Sequence, residues 1–286
     1  MKKHTPPENI FDQLVIDLTP QYGLGEARSI ARIVFEDAFG LRNGPYHLSD
    51  QVAEQQFIAI RQRLLSGEPV QYVLGEADFF GFKFKVSPDV LIPRQETEEL
   101  VAWAIEWIKN TPARVLDIGT GSGCIAITIA KKCQNAAVFA IDKSESALYI
   151  ARENAENLSV SVNFSQQDIL NENTWSDLPA FDFILSNPPY IPRQEAKLMP
   201  RHVLKHEPHL ALFVDDGDPL LFYRAIARFA RLKLHPGGRL MFECNEFNAR
   251  QVYELLVEEG FSEVELRKDL SGADRMVNGI RRHPRI

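Results

Sequence analysis

The amino-acid sequence predicts an α/β protein in which a small N-terminal helical domain precedes a doubly wound parallel sheet. The first 66 residues carry apolar side chains at helical spacing. From Thr97 onward, short apolar runs alternate with helical patterns, and a glycine-rich turn joins the first such run to a helix. Strands that alternate with helices favour a parallel sheet covered by helices on both faces. The chain has 286 residues, of which 45% are hydrophobic, so two unequal domains are expected.

Residues 1–70 are predicted to form the helical domain. Apolar residues recur there with the period of one helix face, in three groups: Ile10, Leu14, Val15 and Leu18; Ile30, Ala31, Val34 and Ala38; and Val52, Phe57, Ile60 and Leu64. The helices are separated by residues that interrupt helical backbone, and Ser66-Gly67 ends the last one. The interrupting residues are Gly23, Gly25, Gly40, Gly44 and Pro45.

Residues 71–96 are predicted to connect the two domains and to contain a β-hairpin. The segment Phe79–Val86 alternates apolar and charged residues towards its end, which is typical of a short strand. Phe79 and Phe80 could contact a cofactor or a substrate. As aromatic residues they could equally pack in the hydrophobic core. Both interpretations stay open at this point.

Residues 97–286 are predicted to form the sheet domain. Thr97 is predicted to cap a helix that runs to Lys109. The short stretch Asp269–Ala273 cannot form a parallel crossover, so one of the last two strands is expected to be antiparallel. The predicted strands are 114–118, 138–141, 160–164, 181–185, 239–243, 263–267 and 275–280, and the further helices are 123–132, 144–156, 219–234 and 248–259.

Composition narrows the class of protein. The formal net charge is −7, which argues against a protein that lives on DNA or bulk RNA. The three cysteines form no CxxC pair, so neither a disulfide framework nor a zinc site is expected, and a reducing cytoplasm suits the chain best. No apolar run approaches the roughly 18 residues that a membrane span needs. Residues 1–8 do not resemble a signal peptide.

The segment Asp117–Gly123 is predicted to bind a nucleoside-bearing cofactor. Its glycines allow a sharp turn and a close approach of the backbone to a ligand. Asp142, at the end of the next strand, can accept hydrogen bonds from both ribose hydroxyls, and Asp168 follows the third strand where an adenine amino group could be bound. The predicted cofactor-binding residues are Asp117, Gly119, Thr120, Gly121, Gly123, Asp142, Asp168 and Asn187.

The spacing of this loop favours S-adenosylmethionine. Dinucleotide enzymes use GxGxxG and place a pyrophosphate at the helix N-terminus, whereas this loop reads GxGxG and carries Asp117. A carboxylate there would repel a pyrophosphate and would suit the ammonium group of S-adenosylmethionine. A nicotinamide cofactor and a purely structural glycine turn remain less favoured alternatives.

The tetrapeptide Asn187-Pro188-Pro189-Tyr190 is predicted to be the catalytic and substrate-binding site, with Asn187, Pro188 and Tyr190 in the catalytic roles. It follows the fourth predicted strand, at the sheet edge where ligands bind in such folds. The two prolines remove N–H donors and leave acceptors, namely the Asn187 side-chain oxygen and the Pro188 carbonyl. Tyr190 adds an aromatic face.

Acceptors beside an aromatic face suit a flat –NH2 group. The lone pair of an amide or an exocyclic amine is delocalised, so the nitrogen must be oriented and polarised by accepted hydrogen bonds. No strong general base is needed, because the nitrogen becomes acidic once methylated. This pattern predicts methyl transfer to nitrogen. It does not distinguish between a glutamine amide and an adenine amine as the acceptor.

The ordered set of motifs resembles the bacterial N5-glutamine methyltransferases that modify peptide chain release factors. The match covers nearly the whole chain and departs from the family pattern at Gln95, Cys244-Asn245 and Val214–Asp216. The matching segments are Gly67–Tyr72 with Gly75, Phe79–Gly81, Leu91–Glu98, Asp117–Gly123, Asp142, Asn187–Tyr190, Glu207-Pro208, His235–Gly238 with Glu243, and Asp269–Arg275.

The resemblance implies a class I S-adenosylmethionine-dependent methyltransferase fold, in which the helical domain of residues 1–70 binds the substrate. It also implies methylation of the glutamine side-chain amide in the Gly-Gly-Gln motif of release factors, with S-adenosylhomocysteine as product. A cytoplasmic monomer that contacts neither membrane nor nucleic acid directly is expected. Arg94 and Glu96 are expected to bind substrate or to organise the domain junction. The alternative interpretation is that they take part in a structural ion pair.

Three other functions stay open at this point. A ribosomal-protein glutamine methyltransferase shares the tetrapeptide, and an adenine-N6 methyltransferase of DNA or RNA would use the same acceptors. A non-catalytic nucleotide-binding module is the third. The neighbouring His202, His206 and His209 have no acidic ligands in their pattern, and no metal site is predicted.

Overall fold

The computed structural model describes residues 9–42, 46–48, 50–199 and 201–283, without the side chains of Leu198, Arg201 and His202. The described residues cluster into two units. One is drawn from Met1–Glu76 with Pro200–His206, and the other from Ala77–Met199 with Glu207–Ile286. The predicted domain boundaries, at residues 70 and 96, stay predictions. Within the described ranges, none of the helices has the length and apolar character that crossing a bilayer requires.

The first unit is helical, as the apolar spacing predicts. Asp50 caps one helix by accepting hydrogen bonds from the N–H groups of Val52 and Ala53. Gly23 interrupts the first helix with a non-helical backbone (φ 77°, ψ 162°), whereas Gly44 and Pro45 lie outside the described residues. The helices are α1 Ile10–Ile33, which continues as a π-helical turn Val34–Ala38, α2 Gln51–Leu65 and α3 Val70–Leu74, and the later α7 Arg201–His206 belongs to the same unit.

A single seven-stranded sheet organises the second unit. The strands lie in the order β10-β11-β9-β6-β3-β4-β5, and β11 is antiparallel to both of its neighbours, as predicted for one of the last two strands. The other pairs are parallel. The strands are β1 Glu76–Phe79, β2 Phe82–Lys85, β3 Ala113–Ile118, β4 Ala136–Asp142, β5 Asn163–Gln166, β6 Phe181–Ser186, β7 Ile191–Pro192, β8 Phe213–Val214, β9 Leu234–Glu243, β10 Ser262–Lys268 and β11 Asp274–Ile280.

Two small sheets stand apart from the large one. Strands β1 and β2 form the predicted hairpin. Their two-residue turn, Phe80-Gly81, has positive φ at both positions (52° and 78°), as a type I′ turn requires. Strands β7 and β8 pair in parallel through Ile191–Pro192 and Phe213–Val214.

Helices cover both faces of the large sheet. Successive residues of a strand point to opposite faces. Leu116 and Ile184 lie in one apolar cluster with residues of α9 and α10, while Val115 and Leu185 lie in a second cluster with residues of α4 and α5. Burial of both strand faces explains the near-continuous apolar runs in the sequence. The remaining helices are α4 Gln95–Ile108, α5 Cys124–Lys132, α6 Glu145–Asn157, α8 His209–Leu212, α9 Leu221–Lys233 and α10 Ala249–Glu258.

Three local predictions were wrong. Thr97 does not cap α4, because the helix begins at Gln95 and the buried Thr97 hydroxyl bonds to Glu243 instead. Strand β5 begins at Asn163 rather than at residue 160, because the Val160 N–H closes the end of α6 on the Ala155 carbonyl. Pro219 lies in the turn before α9, which begins at Leu221.

Candidate active site

The predicted site residues meet at one edge of the sheet, where β3, β4 and β6 end. Chain order runs from β3 to β4 and β5 on one side and returns to β6 on the other side of β3, so a crevice opens above the end of β3. Ile118 is the Cα partner of both Ile141 and Ser186. The glycine loop, Asp142 and Asn187 therefore leave the sheet side by side.

The backbone of the glycine loop is tied to the end of β4. The N–H groups of Gly119 and Thr120 both donate to the Ile141 carbonyl, at 2.9 and 3.1 Å. Gly123 has φ 82°, and a Cβ there would lie 2.7 Å from Ile127 Cδ1. This position therefore needs glycine both for its left-handed backbone and for the close packing of α5.

Asp142 braces the same loop. Its Oδ2 accepts a hydrogen bond from the Gly121 N–H at 2.9 Å, and its Oδ1 accepts one from the Ser144 N–H at 2.9 Å. Burial raises the pKa of Asp142, although these backbone hydrogen bonds oppose the shift. Each carboxylate oxygen has a second acceptor site, so the group can also accept hydrogen bonds from a ligand diol.

Asp117 lies beneath the loop rather than on the wall of the pocket. The side chain is completely buried, and its Oδ2 accepts a 2.6 Å hydrogen bond from the Thr120 hydroxyl. Among the described residues, Oδ1 has no hydrogen-bond partner, and the Ala126 N–H of α5 lies close enough to the carboxylate to oppose the rise of its pKa. Burial raises the pKa of Asp117 to about 7. The structure thus gives Asp117 a role in holding Thr120, and its contact with a ligand ammonium stays a prediction.

A pocket of about 280 Å³ opens beside the glycine loop and Asp142. Asp168 lies on its wall, where Oδ2 is 2.8 Å from Lys143 Nζ and Oδ1 accepts the Leu170 N–H at 3.0 Å. The rest of the wall is mostly apolar, with one polar end, which suits a nucleoside. The lining includes Val90, Leu91, Ile169, Leu170, Pro189, Leu210 and Phe222.

The tetrapeptide borders the pocket at the end of β6. Asn187 Nδ2 donates to Thr97 Oγ1 at 3.2 Å, which leaves Oδ1 available as an acceptor. Pro188 is buried, and Pro189 forms part of the pocket wall. Tyr190 packs against the apolar cluster of α9 and α10, and burial raises its pKa well above the ordinary value.

Two buried side chains support Asn187 from behind. Thr97 donates a 2.6 Å hydrogen bond to Glu243 Oε2, and both residues are almost fully buried. Burial raises the pKa of Glu243 to about 7. The sequence places Glu243 at the end of a strand and Thr97 at a helix start, both within segments that match the family, but it predicts no role in the site for either residue. A charged residue that ends an apolar strand at the ligand-binding edge is the signal that points to Glu243.

Arg94 takes part in a structural ion pair. Its Nη2 lies 2.6 and 2.7 Å from the two oxygens of Glu207, whose side chain is 1% exposed. Glu96 is half-buried and lies close enough to Glu243 and Tyr190 to affect their pKa values. Substrate binding by Arg94 and Glu96 stays a prediction.

The aromatic pair at the hairpin turn lies away from the pocket. Phe79 is buried in the apolar cluster of α4 and α5. Phe80 is half-buried, donates its N–H to Glu98 Oε1 at 2.7 Å, and has Lys132 Nζ 5.5 Å from its ring centroid. The structure therefore favours the core role for Phe79 over contact with a ligand.

The histidine group remains without an assigned role. The His209 ring packs edge-on against Phe213, and the His202 side chain lies outside the described residues. In the described part of the chain, no group of three or more His, Cys, Asp or Glu residues is arranged to hold a metal ion. The prediction of a metal-free site stays a prediction.

Comparison with known proteins identifies the fold. A family model described as "Methyltransferase small domain" matches residues 102–211. A methyltransferase from Pyrococcus furiosus has a similar crystal structure, with a TM-score of 0.52 and 18% identity, over 78% of this chain and 98% of that one. The predicted class I methyltransferase fold is confirmed.

Full-length relatives identify the family. A release factor glutamine methyltransferase of Flavobacterium psychrophilum is 41% identical over 281 residues, which cover 94% of this chain and 97% of that protein. Another, of Bacteroides thetaiotaomicron, is 42% identical over 86% of this chain and 87% of that protein. The chain therefore belongs to the family of release factor glutamine methyltransferases.

Proposed function

We propose that this enzyme transfers a methyl group from S-adenosylmethionine to the side-chain amide nitrogen, N5, of the glutamine in the Gly-Gly-Gln motif of peptide chain release factors. The observation that carries the proposal is the orientation of Asn187. Its Nδ2 donates to Thr97, which leaves its Oδ1 available to accept from an incoming –NH2 group, and Pro189 of the same tetrapeptide lines a nucleoside-sized pocket. Membership of the family narrows that –NH2 group to a release-factor glutamine.

The residues around the pocket suit S-adenosylmethionine. The Asp142 carboxylate is held rigidly by two backbone N–H groups and has acceptor sites left for a ribose diol. The apolar wall, which includes Leu91 and Ile169, suits an adenine ring, and Asp168 could accept from its amino group. When bound, S-adenosylmethionine supplies a sulfonium methyl group as the electrophile.

The tetrapeptide would hold and polarise the glutamine amide. Asn187 Oδ1 and the Pro188 carbonyl would each accept one N–H of the substrate amide, while Tyr190 would cover its face. Two accepted hydrogen bonds orient the nitrogen and raise its electron density. The nitrogen exchanges one proton for the methyl group, and this proton needs no strong general base because methylation makes the nitrogen acidic.

The helical unit is proposed to bind the release factor, and the enzyme is proposed to act as a cytoplasmic monomer without contacting nucleic acid directly. Paired charges on α9 support the last point. Three arginines of this helix each lie 3.1 to 3.4 Å from a carboxylate, in the pairs Arg224–Asp218, Arg228–Glu172 and Arg231–Glu259. A nucleic-acid surface needs unneutralised basic groups.

The test is direct labelling. The enzyme is incubated with labelled S-adenosylmethionine and with release factor purified from cells that lack methyltransferase activity. We expect label on the Gly-Gly-Gln glutamine, located by mass spectrometry, and none on a matched release factor whose motif reads Gly-Gly-Ala. Absence of label on the unmodified factor would overturn the proposal. Label on a ribosomal protein or on an adenine-containing oligonucleotide in parallel reactions would favour those alternatives.

A further inference from the structure

Two buried side chains, Thr97 and Glu243, form with the half-buried Asn187 a hydrogen-bonded relay that ends at the proposed catalytic amide. Glu243 Oε2 accepts the Thr97 hydroxyl proton at 2.6 Å, and Thr97 Oγ1 accepts from Asn187 Nδ2 at 3.2 Å. Thr97 is 3% exposed and Glu243 is 1% exposed. At such burial, water does not replace a missing partner.

Strand register brings Asn187 and Glu243 to the same place, and Thr97 of α4 hydrogen-bonds to both. Ser186 of β6 is the Cα partner of Phe242 of β9, so the next residue of each chain segment, Asn187 and Glu243, emerges at the same level of the sheet. The Glu243 backbone is further fixed because its carbonyl accepts the Tyr223 hydroxyl at 3.1 Å.

The number of protons that Thr97 and Glu243 can donate determines the orientation of the Asn187 amide. A threonine hydroxyl has one proton, and an ionised carboxylate can only accept. Once Thr97 donates to Glu243, its oxygen can act towards Asn187 only as an acceptor. The amide must then turn its Nδ2 towards Thr97, because the reverse orientation would place two acceptor oxygens against each other.

We propose that Thr97 and Glu243 are positioning residues that orient the Asn187 side chain, so that Oδ1 faces the glutamine amide of the substrate. The inference rests on the proposed function and deepens it. A purely structural pair would stabilise the helix–strand contact without affecting which end of the amide faces the substrate.

The ionisation of Glu243 supplies a second, independent consequence. Burial raises its pKa to about 7, against the opposing effects of the Thr97 hydrogen bond and the nearby arginines. Once protonated, Glu243 can donate to Thr97, and Thr97 can then donate to Asn187 Oδ1 and occupy the acceptor. The charged or titratable groups near Glu243 are Arg94, Glu96, Cys124, Tyr190, Tyr223, Cys244 and Arg275.

The experiment compares Thr97→Val, which removes the hydroxyl at nearly constant volume, with Thr97→Ser, which restores it. For Thr97→Val we expect kcat at least about tenfold lower, with an unchanged KM for S-adenosylmethionine. Thr97→Ser should recover most of the activity. The matched control is Thr128→Val, because Thr128 is also buried but has no hydrogen-bond partner for its hydroxyl among the described residues. A folded Thr97→Val enzyme with wild-type kcat would overturn the proposal.

Two further readouts apply if Thr97→Val does not fold. In wild type, kcat should fall as the pH drops through about 7, and the fall should be smaller in Glu243→Gln, because the glutamine has no proton to gain while Asp117 still titrates in the same range. An identical acid limb in both enzymes would contradict the relay. Amide NMR needs no substrate: one Asn187 Nδ2 proton should exchange slowly in wild type and in Thr97→Ser, which keeps the hydroxyl, and faster in Glu243→Gln. Exchange that does not change in Glu243→Gln would refute the relay even if release factor proved not to be the substrate.

Discussion

Asn187 and Thr97 lie 90 residues apart in the sequence, and the side-chain amide of one donates a 3.2 Å hydrogen bond to the hydroxyl of the other. The contact joins the loop after β6 to the first turn of α4. It fixes the nitrogen end of Asn187 and leaves the oxygen end for a substrate donor. The first prediction follows from this arrangement, in which Nδ2 is bound to Thr97 and Oδ1 is left for the substrate.

Replacement of Asn187 by alanine should reduce kcat about 100- to 1,000-fold, the usual effect of losing one oriented polar group from an active site. Cofactor affinity should change little, because the side chain is held by Thr97 rather than by the cofactor loop. Single-turnover methylation of release factor and titration calorimetry with S-adenosylmethionine separate the two effects. Equal losses in turnover and in cofactor affinity would instead make Asn187 mainly a cofactor-binding residue.

Replacement of Asp142 by alanine should have the opposite profile. The change removes the acceptor for the ribose diol and also releases the Gly121 and Ser144 N–H groups. The dissociation constant for S-adenosylmethionine should rise about 10- to 100-fold, as expected for lost charge-assisted hydrogen bonds. Asp142→Asn keeps an acceptor for one backbone N–H and should lie between the two enzymes. If the alanine variant bound S-adenosylmethionine with unchanged affinity, the ribose would have to bind elsewhere in the pocket.

The sequence predicts the parts of the site whose chemistry is local. Residue types at the ends of strands identify the glycine loop, Asp142 and the tetrapeptide. The structure brings all three to one edge of the sheet. The Thr97–Glu243 contact spans 146 residues and depends on the register of β6 against β9. A pattern of residue types does not contain that register, so the sequence predicts a helix cap at Thr97 and not its contact with Glu243.

Burial is the second property that the pattern does not contain. Asp117 belongs to the glycine motif in the sequence, yet its side chain lies inside the sheet and holds Thr120. Arg94 belongs to a family signature, yet its guanidinium is paired with Glu207, 113 residues away. In both cases the partner decides the role of the charge, and the partner is known only once the chain is folded.

Asn154 should be essential for the stability of the glycine loop. Its side chain accepts the Lys85 N–H at 2.6 Å and donates to the carbonyls of Lys85 and Ser122. Asn154→Ala leaves the buried Ser122 carbonyl and the two part-buried backbone groups of Lys85 without this partner, so the free energy of unfolding should fall by about 2–4 kcal/mol. Chemical denaturation measures the change. Asn157→Ala, at an exposed position of the same helix, is the control and should differ from wild type by less than about 0.5 kcal/mol. Equal stability of the two variants would contradict this assignment.

Asp117 should make the stability of the protein depend on pH. Burial raises its folded-state pKa from an ordinary value of 3.8 to about 7. The folded state therefore binds more protons than the unfolded state between these values, and the free energy of unfolding falls as the pH rises from about 4 to about 7. Above pH 7, the buried charge costs a few kcal/mol, at about 1.4 kcal/mol per unit of pKa shift.

Asp117→Asn removes this titration, since asparagine carries no charge and can still accept the Thr120 hydroxyl proton. We expect the variant to be more stable than wild type above pH 7 and to lose the advantage as the pH approaches 4. Glu243 titrates in the same window in both proteins, so the difference between their unfolding curves isolates Asp117. Urea unfolding at a series of pH values gives that difference directly. A gap that does not change with pH would mean that the Asp117 carboxylate is stabilised in the folded protein as well as it is in water.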